Sequence, residues 1–196
     1  MQIDYYYTLM SPWAYLGAQR FYDLQNKYSF EINHYPLDIS KLFSLTGGIP
    51  LRKRSEQRKA VRMMELRRWK KKLKLPINFN PKYFPLPDIE KASCMVLSIQ
   101  DSKIQNLLSL NFFKCVWIEE EDISNVETLL KVCNNLQLDG EKILEDSKDF
   151  ISFYNSLADK ATKHNVFGSP SYVLNNEVFW GQDRLDLLEE KILENF

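Results

Sequence analysis

The sequence predicts an α/β fold made of two separated halves, a β-α-β unit at the N-terminus and a β-β-α unit at the C-terminus, with an all-helical block between them. Three observations carry this. Residues 2–8 and 30–37 alternate apolar and polar side chains on either side of a helical pattern opened by Ser11-Pro12. From residue 46 to residue 163 the pattern turns helical, interrupted by glycine and proline. Residues 171–174 and 177–180 are short aromatic and β-branched runs joined by Asn175-Asn176.

Taken in order, the Tyr-rich run at residues 2–8 is the first strand. Ser11 is a favourable N-cap and Pro12 is pre-organised for the first helical position, so the first helix begins there. Trp13, Gly17, Phe21 and Leu24 recur at helical spacing to about Lys27. Residues 30–37 (FEINHYPL) form the second strand, and the connection has the length of a helix crossing between parallel strands. Thr46-Gly47-Gly48-Ile49-Pro50 is a loop. Residues 52–74 carry twelve basic side chains and two acidic ones, Glu56 and Glu65, around an apolar stripe of Val61, Met63, Leu66, Trp69 and Leu73. That predicts one long helix with a basic face. Pro76, Pro81, Pro85 and Pro87 end it in a loop. Helical patterns return over residues 90–105, 107–118, 124–134, 140–146 and 149–163, and Ser124 with Glu127 fits a capping box. Asn175-Asn176 is a hairpin turn, since Asn tolerates positive φ. Leu185, Leu188, Ile192 and Phe196 then make one face of a closing helix. These textures divide the chain into a two-part domain, 1–45 and 164–196, and an inserted helical domain, 46–163.

The 196 residues are 44% hydrophobic and 13% aromatic, which excludes a disordered chain and is enough for one sizeable core. Basic and acidic side chains number 26 each, so the formal net charge is zero. That argues against bulk electrostatic binding to nucleic acid or an anionic membrane and leaves room for a local patch. The N-terminus has neither the basic nor the apolar segment of a signal peptide. No run approaches the roughly 18 apolar residues of a membrane span. Cys94, Cys115 and Cys133 are scattered, which suits a reducing cytosol and gives no metal-ligand spacing. The expectation is a cytoplasmic protein with no nucleic-acid or membrane partner and no metal. His34 and His164 read as structural, and Tyr5, Tyr6 and Tyr7 as packing.

Two features point to chemistry. Ser11-Pro12-Trp13-Ala14 puts a polar residue at the mouth of a helix directly after a strand. Gly168-Ser169-Pro170 puts a proline just before a hairpin. Singly, these are an ordinary N-cap and an ordinary turn. Together, in this order, they have the layout of a thioredoxin-like fold, in which that proline is cis and faces the N-terminus of the first helix.

SPWAYLG resembles the CPWCYLG of DsbA-like thiol oxidoreductases, with Ser11 and Ala14 where the two cysteines would stand. Residues 165–189 (NVFGSPSYVLNNEVFWGQDRLDLLE) resemble the C-terminal signature of 2-hydroxychromene-2-carboxylate isomerases and kappa-class glutathione transferases, and the resemblance extends over essentially the whole chain. A dithiol enzyme needs an attacking and a resolving thiol. Ser11 and Ala14 supply neither, while the helix mouth still favours an anion or thiolate. The resemblance therefore implies glutathione as cofactor, with Ser11 as the catalytic residue donating a hydrogen bond to its sulfur. It implies that the backbone of Ser169, before Pro170, pairs with the cysteinyl part of glutathione like an added strand. Gln182 and Asp183 would receive the γ-glutamyl end, Asp183 meeting the α-ammonium, serving as a plain N-cap, or both. Trp180 and Gly181 complete the loop, and Arg184 holds Asp183 or a carboxylate. The implied activity is a glutathione-dependent isomerase, in which the thiolate adds to an unsaturated α-keto acid and leaves after a bond rotation. A kappa-like transferase that consumes glutathione and a non-catalytic thioredoxin-like binding module are the rival readings. The implied partner is a small anionic or aromatic substrate, and the implied assembly a homodimer.

The chain departs from that family on the substrate side. Relatives usually carry Lys three residues before the Gly of a Gly-Asn pair; here those positions are Ser44, Gly47 and Gly48. The usually polar segment after Phe84-Pro85 reads Leu86-Pro87-Asp88. The basic stretch at 52–74 has three readings. It is a solvated helix face, or a funnel for anionic ligands with one or more of Arg58, Lys59 and Arg62 reaching the site, or a nucleic-acid surface. The last is the weakest, because aromatic interleaving is limited to Trp69.

Overall fold

The structure, a computed structural model, describes residues 1–194; Phe196, expected on the closing helix, lies outside the described residues. β1 (Gln2–Tyr7), α1 (Pro12–Tyr28) and β2 (Glu31–Pro36) form the expected β-α-β unit. β1 and β2 run parallel, Gln2 opposite Glu31 and Tyr7 opposite Pro36. β3 (Ser171–Leu174) lies antiparallel along the other edge of β1, with Tyr6 opposite Ser171, and β4 (Glu177–Trp180) completes a sheet of order β2-β1-β3-β4. Asn175 and Asn176 take φ of 52° and 65°, the left-handed region that a two-residue hairpin turn needs. α9 (Leu185–Leu193) follows. This is a thioredoxin-like fold carrying a helical insertion between its halves.

β1 is buried on both faces. The rings of Tyr5 and Tyr7 stack with centroids 4.3 Å apart, and Tyr5 also stacks on Tyr172 at 5.2 Å, with Phe21 of α1 packed against Tyr5 and Tyr172. Tyr6 points the other way, into an apolar cluster with Leu37, Leu42, Leu157 and Ala161. Successive side chains of a strand face opposite sides. Covering both sides turns what would be an alternating pattern into a continuous aromatic run.

Besides α1, the helices between β2 and β3 supply the cover: α2 (Ile39–Thr46), which precedes the expected insertion, and α3 (Glu56–Leu73), α4 (Glu90–Ser98), α5 (Ser102–Lys114), α6 (Val126–Asn135), α7 (Gly140–Asp146) and α8 (Ile151–Lys163) within it. Among the described residues no helix is long and apolar enough to cross a membrane. Several boundaries differ from the sequence pattern. α2 lay outside the expected elements; it has eight residues, only Leu42 is buried, and its start is set by the Asp38 carboxylate accepting from the Ser40 N–H. The helix expected from residue 52 starts at Glu56 with Ser55 as its cap, because Leu51–Lys53 form a separate 3-10 turn. Met63, Leu66, Trp69 and Leu73 pack on the core as expected, whereas Val61 is 51% exposed. The helix expected over 90–105 breaks at Ile99, and Asp101 starts the next by accepting from the N–H groups of Lys103 and Ile104. The pattern over 107–118 is the second half of α5 plus a π-helical turn, Cys115–Glu119. The Ser124–Glu127 capping box does not form. Asn125 caps α6, accepting from the Glu127 N–H at 2.9 Å, while Ser124 turns to Asp122. α8 begins at Ile151 after a 3-10 turn, Ser147–Phe150.

A buried polar chain ties the sheet to the insertion. The Tyr7 hydroxyl lies 3.1 Å from His34 Nδ1, and His34 Nε2 lies 2.9 Å from Asn106 Oδ1. Asn106 Nδ2 donates to Gln25 Oε1 at 2.6 Å, and Gln25 Nε2 to Ser102 Oγ at 2.9 Å. This order assigns the proton to His34 Nε2 and makes Nδ1 the acceptor. Burial holds the ring neutral and lowers its pKa to about 3, against the opposing hydrogen bond to Asn106. The unfolded chain therefore takes up this proton first. The His34 contribution to stability is complete above about pH 6.5 and is lost as the pH falls toward 3. We expect unfolding free energy from urea titration to drop by about 2 kcal/mol between about pH 7 and about pH 5 from this residue. His34→Gln should remove that component, and an unchanged pH slope in the variant would refute the assignment.

Candidate active site

Pairing of β1 with β3 brings the mouth of α1 against the turn before β3. Ser11 takes an extended conformation, its Oγ accepts from the Ala14 N–H at 3.1 Å, and Pro12 follows at the first helical position. The Ser169-Pro170 bond is cis, as expected, and a second cis bond, Phe84-Pro85, is present. The Thr8 N–H donates to Ser169 Oγ at 2.9 Å, and Ser11 Oγ donates to the Ser169 carbonyl across a longer 3.3 Å. In the first turn of α1, Pro12 has no N–H, Ala14 donates to Ser11 Oγ and Tyr15 to the Ser11 carbonyl. Trp13 thus carries the first-turn donor left for a ligand.

Ser11 and Ser169 open onto a cleft of about 590 Å³, within the size range of small-molecule sites. One part of its wall is apolar: Trp13, Ile39, Phe43, Phe84 and Leu86. Another part is cationic: Arg52, Arg54, Lys59 and Arg62, with no carboxylate in the wall. Lys59 is paired with Glu56 at 2.8 Å. Arg54 Nε donates to the Ile49 carbonyl at 2.8 Å. Arg62 has a sulfur contact, Nη1 to Met63 Sδ at 3.8 Å. Burial, and then the charge of Arg54, push the Arg62 pKa down. Of the three basic residues singled out from sequence, Lys59 and Arg62 reach the cleft and Arg58 does not. Arg52 and Arg54 reach it because they lie on the turn before α3, a change of direction signalled only by Pro50 and the Ser55 cap. Farther along α3, Arg67, Lys70 and Lys71 border a shallow outward groove instead, with Lys74 and Phe79.

The loop after β4 adjoins this cleft without lining it. The Gly181 N–H donates to the Pro170 carbonyl at 2.9 Å. Gly181 has φ of 106°, and a Cβ there would sit 2.4 Å from Asp183 Oδ1, so this position requires glycine. Gln182 is buried and turned toward α1. Arg20 Nη1 donates to both its Oε1 and its carbonyl at 3.1 Å, and Gly17 makes room, since a Cβ there would lie 2.7 Å from Gln182 Cβ. The Gln182 side chain therefore holds the loop to α1. Asp183 is exposed, with Arg184 at 3.8 Å. It is not an N-cap: Gln182–Arg184 wind as a 3-10 turn, and α9 starts after Arg184 with no side-chain cap. Trp180 is exposed and lies against Phe167, ring centroids 4.6 Å apart.

No cysteine lines the cleft. Cys94, Cys115 and Cys133 are buried elsewhere, and burial pushes their thiols up to about 12, 12 and 11. Cys115, Glu119 and Glu121 bring ligand atoms within 4.8 Å of one another. They are already partnered, Cys115 donating to Glu119 and Glu121 paired with Lys131 at 2.6 Å.

Known proteins share this fold. The family model of the DSBA-like thioredoxin domain matches residues 2–193. A protein of Sphingobium xenophagum named 2-hydroxychromene-2-carboxylate isomerase is 26% identical over 195 residues, covering 98% of each chain. Glutathione S-transferase kappa 1 of Homo sapiens is 22% identical over 210 residues, covering 99% of this chain and 92% of its own. A solved structure of a 2-hydroxychromene-2-carboxylate isomerase superimposes with a TM-score of 0.82 at 22% identity, over 99% of this chain and 95% of that one.

The cap role of Ser11 is separable from any chemistry. Ser11→Ala should cost about 1 kcal/mol of unfolding free energy, whereas Ser11→Asp, which can still accept from the Ala14 N–H, should cost little. No loss in Ser11→Ala by urea denaturation would show that the cap contributes nothing.

Proposed function

The chain belongs to the DSBA-like thioredoxin domain family, and from that premise we propose that it is a glutathione-dependent isomerase of the 2-hydroxychromene-2-carboxylate type. Ser11 is the observation that carries this reading. It is a hydroxyl at the mouth of α1, beside the Ser169 backbone, facing a cleft with no thiol of its own. Bound glutathione would supply a thiolate that adds to an unsaturated α-keto acid and departs after rotation about the bond made single, so that nothing is oxidised or reduced.

The residues present fit such a tenant. Ser11 turns its O–H from the Ser169 carbonyl, where it makes only a 3.3 Å bond, to the sulfur. The Trp13 N–H and the dipole of α1 add to the stabilisation of negative charge there. The Ser169 carbonyl, released by Ser11, accepts a backbone N–H as an added strand would. Asp183 offers an open carboxylate for an ammonium group, and the N–H groups of Gln182 and Asp183 suit a carboxylate, the Arg184 N–H being held by the Gly181 carbonyl. Gln182 serves by fixing this turn against Arg20. Trp180 and Gly181 shape the loop, and Arg184 stays close to Asp183.

Calorimetry with reduced glutathione, followed by turnover of an unsaturated α-keto acid, tests the reading. Glutathione should bind and be recovered unmodified after many turnovers. Accumulation of a conjugate would instead make the protein a kappa-like transferase, and failure to bind glutathione would leave a non-catalytic module. Ser11→Ala should lower kcat by about 100-fold, the loss typical of one donor to a developing or bound anion, with little change in glutathione affinity. Ser11→Asp should keep the cap and lose turnover, because a carboxylate disfavours a neighbouring thiolate. Ser11→Cys should not yield an efficient disulfide oxidant, since Ala14 cannot resolve a mixed disulfide.

A further inference from the structure

The cationic part of the cleft wall is larger than the polar contacts within the protein account for. Lys59 has Glu56. Arg62 is part-buried, has no oxygen acceptor among the described residues, and lies near enough to Arg54 for the two charges to oppose each other. Arg54 uses its Nε on the Ile49 carbonyl, which leaves both terminal nitrogens for another acceptor. Two guanidinium groups turned into one cleft with no anion between them form a site that a ligand completes, because a carboxylate matches the guanidinium fork in a bidentate pair. A second group points the same way. Thr8 is 3% exposed and lines the cleft, and its Oγ1 has no hydrogen-bond partner, an unusual state for a buried hydroxyl. The same wall includes Trp13, Phe43, Phe84 and Leu86, apolar side chains that suit a flat apolar body.

We propose that Arg62, with Arg54 beside it, determines specificity by holding the carboxylate of the acceptor, so that the cleft selects an unsaturated or aryl carboxylic acid over its neutral counterpart. This rests on the glutathione reading only for the identity of the group that meets the acceptor; the recognition itself is a property of the cleft. Arg62 acts here as a binding group and takes no part in bond making.

The test is calorimetric titration of the full chain with trans-cinnamate and with its neutral amide, cinnamamide. The wild type should bind the acid at least about tenfold more tightly than the amide. Arg62→Met should weaken cinnamate roughly 10- to 100-fold, the loss expected for one charge-assisted bidentate pair, and leave cinnamamide unchanged. Arg62→Lys should restore part of the affinity, keeping the charge without the fork. Arg67→Met, which removes the same charge from the outward groove, should have no effect. Absence of cinnamate binding by the wild type, equal affinity for acid and amide, or an equal loss in Arg67→Met would each overturn the proposal. Glutathione titrated into the same variants separates the two readings. A loss of glutathione affinity in Arg62→Met in place of cinnamate affinity would assign the arginine to the cofactor and overturn the proposal. Arg62-dependent cinnamate binding by a wild type that ignores glutathione would remove the cofactor reading and keep this one.

Discussion

Three consecutive tyrosines, Tyr5, Tyr6 and Tyr7, must be covered on both sides of a single strand, and most of the architecture follows from that requirement. Each fully buried aromatic ring is worth about 2–3 kcal/mol, provided that both faces have helices to receive it. α1 and α5 cover the Tyr5 and Tyr7 face, and α8 with α2 covers the Tyr6 face. The chain returns from this helical layer antiparallel to β1, and Ser171 pairs opposite Tyr6. That register sets Ser169-Pro170 beside the end of β1. Thr8 and Ser11, the residues that leave β1, are then within hydrogen-bond reach of Ser169. The site is thus a by-product of how the central strand is buried.

The elements legible in the sequence are those whose signals are local. Ser11-Pro12 marks a cap by residue type alone, Asn175-Asn176 marks a turn by its tolerance of positive φ, and the paired strands alternate or run aromatic. What escaped depended on tertiary contacts. α2 is an exception: Ile39, Leu42 and Phe43 stand at helical spacing, but its eight residues are fewer than the roughly eleven over which that period is read. The break at Ile99 follows from Asp101 taking the cap where the apolar pattern continues. Asn125 replaces Ser124 as a cap because Asp122 engages the Ser124 hydroxyl. In the site, Ser11, Ser169 and the cis proline are where the motifs put them. Gln182 faces inward only because Arg20 and Gly17 receive it, and neither is near it in sequence. Arg54 joins Arg62 because the chain reverses at residues 50–55, so a stretch that reads as one basic helix is divided between two surfaces.

That division changes the meaning of a formal net charge of zero. A cleft with four cations in its wall and no carboxylate has a strong local field whatever the total. Low-dielectric walls such as Trp13 and Phe84 screen that field less than water does. The dipole of α1, whose N-terminal residues line the same cleft, adds potential of the same sign. An anion entering the cleft meets positive potential from both sources, while the outer part of α3 borders a separate groove.

The absence of a thiol at the mouth of α1 has a consequence for how such a site responds to its surroundings. With Ser11 and Ala14 at the two positions and the three cysteines buried away from the cleft, the site is not a half-cell and has no reduction potential. A dithiol at the same place would follow the square of reduced thiol over its disulfide. A hydroxyl that only holds a visiting thiol follows the first power of that thiol's concentration and ignores the oxidised partner. The fold is common to both, and on the proposed reading the residues at Ser11 and Ala14 together separate a gauge of redox poise from a gauge of supply.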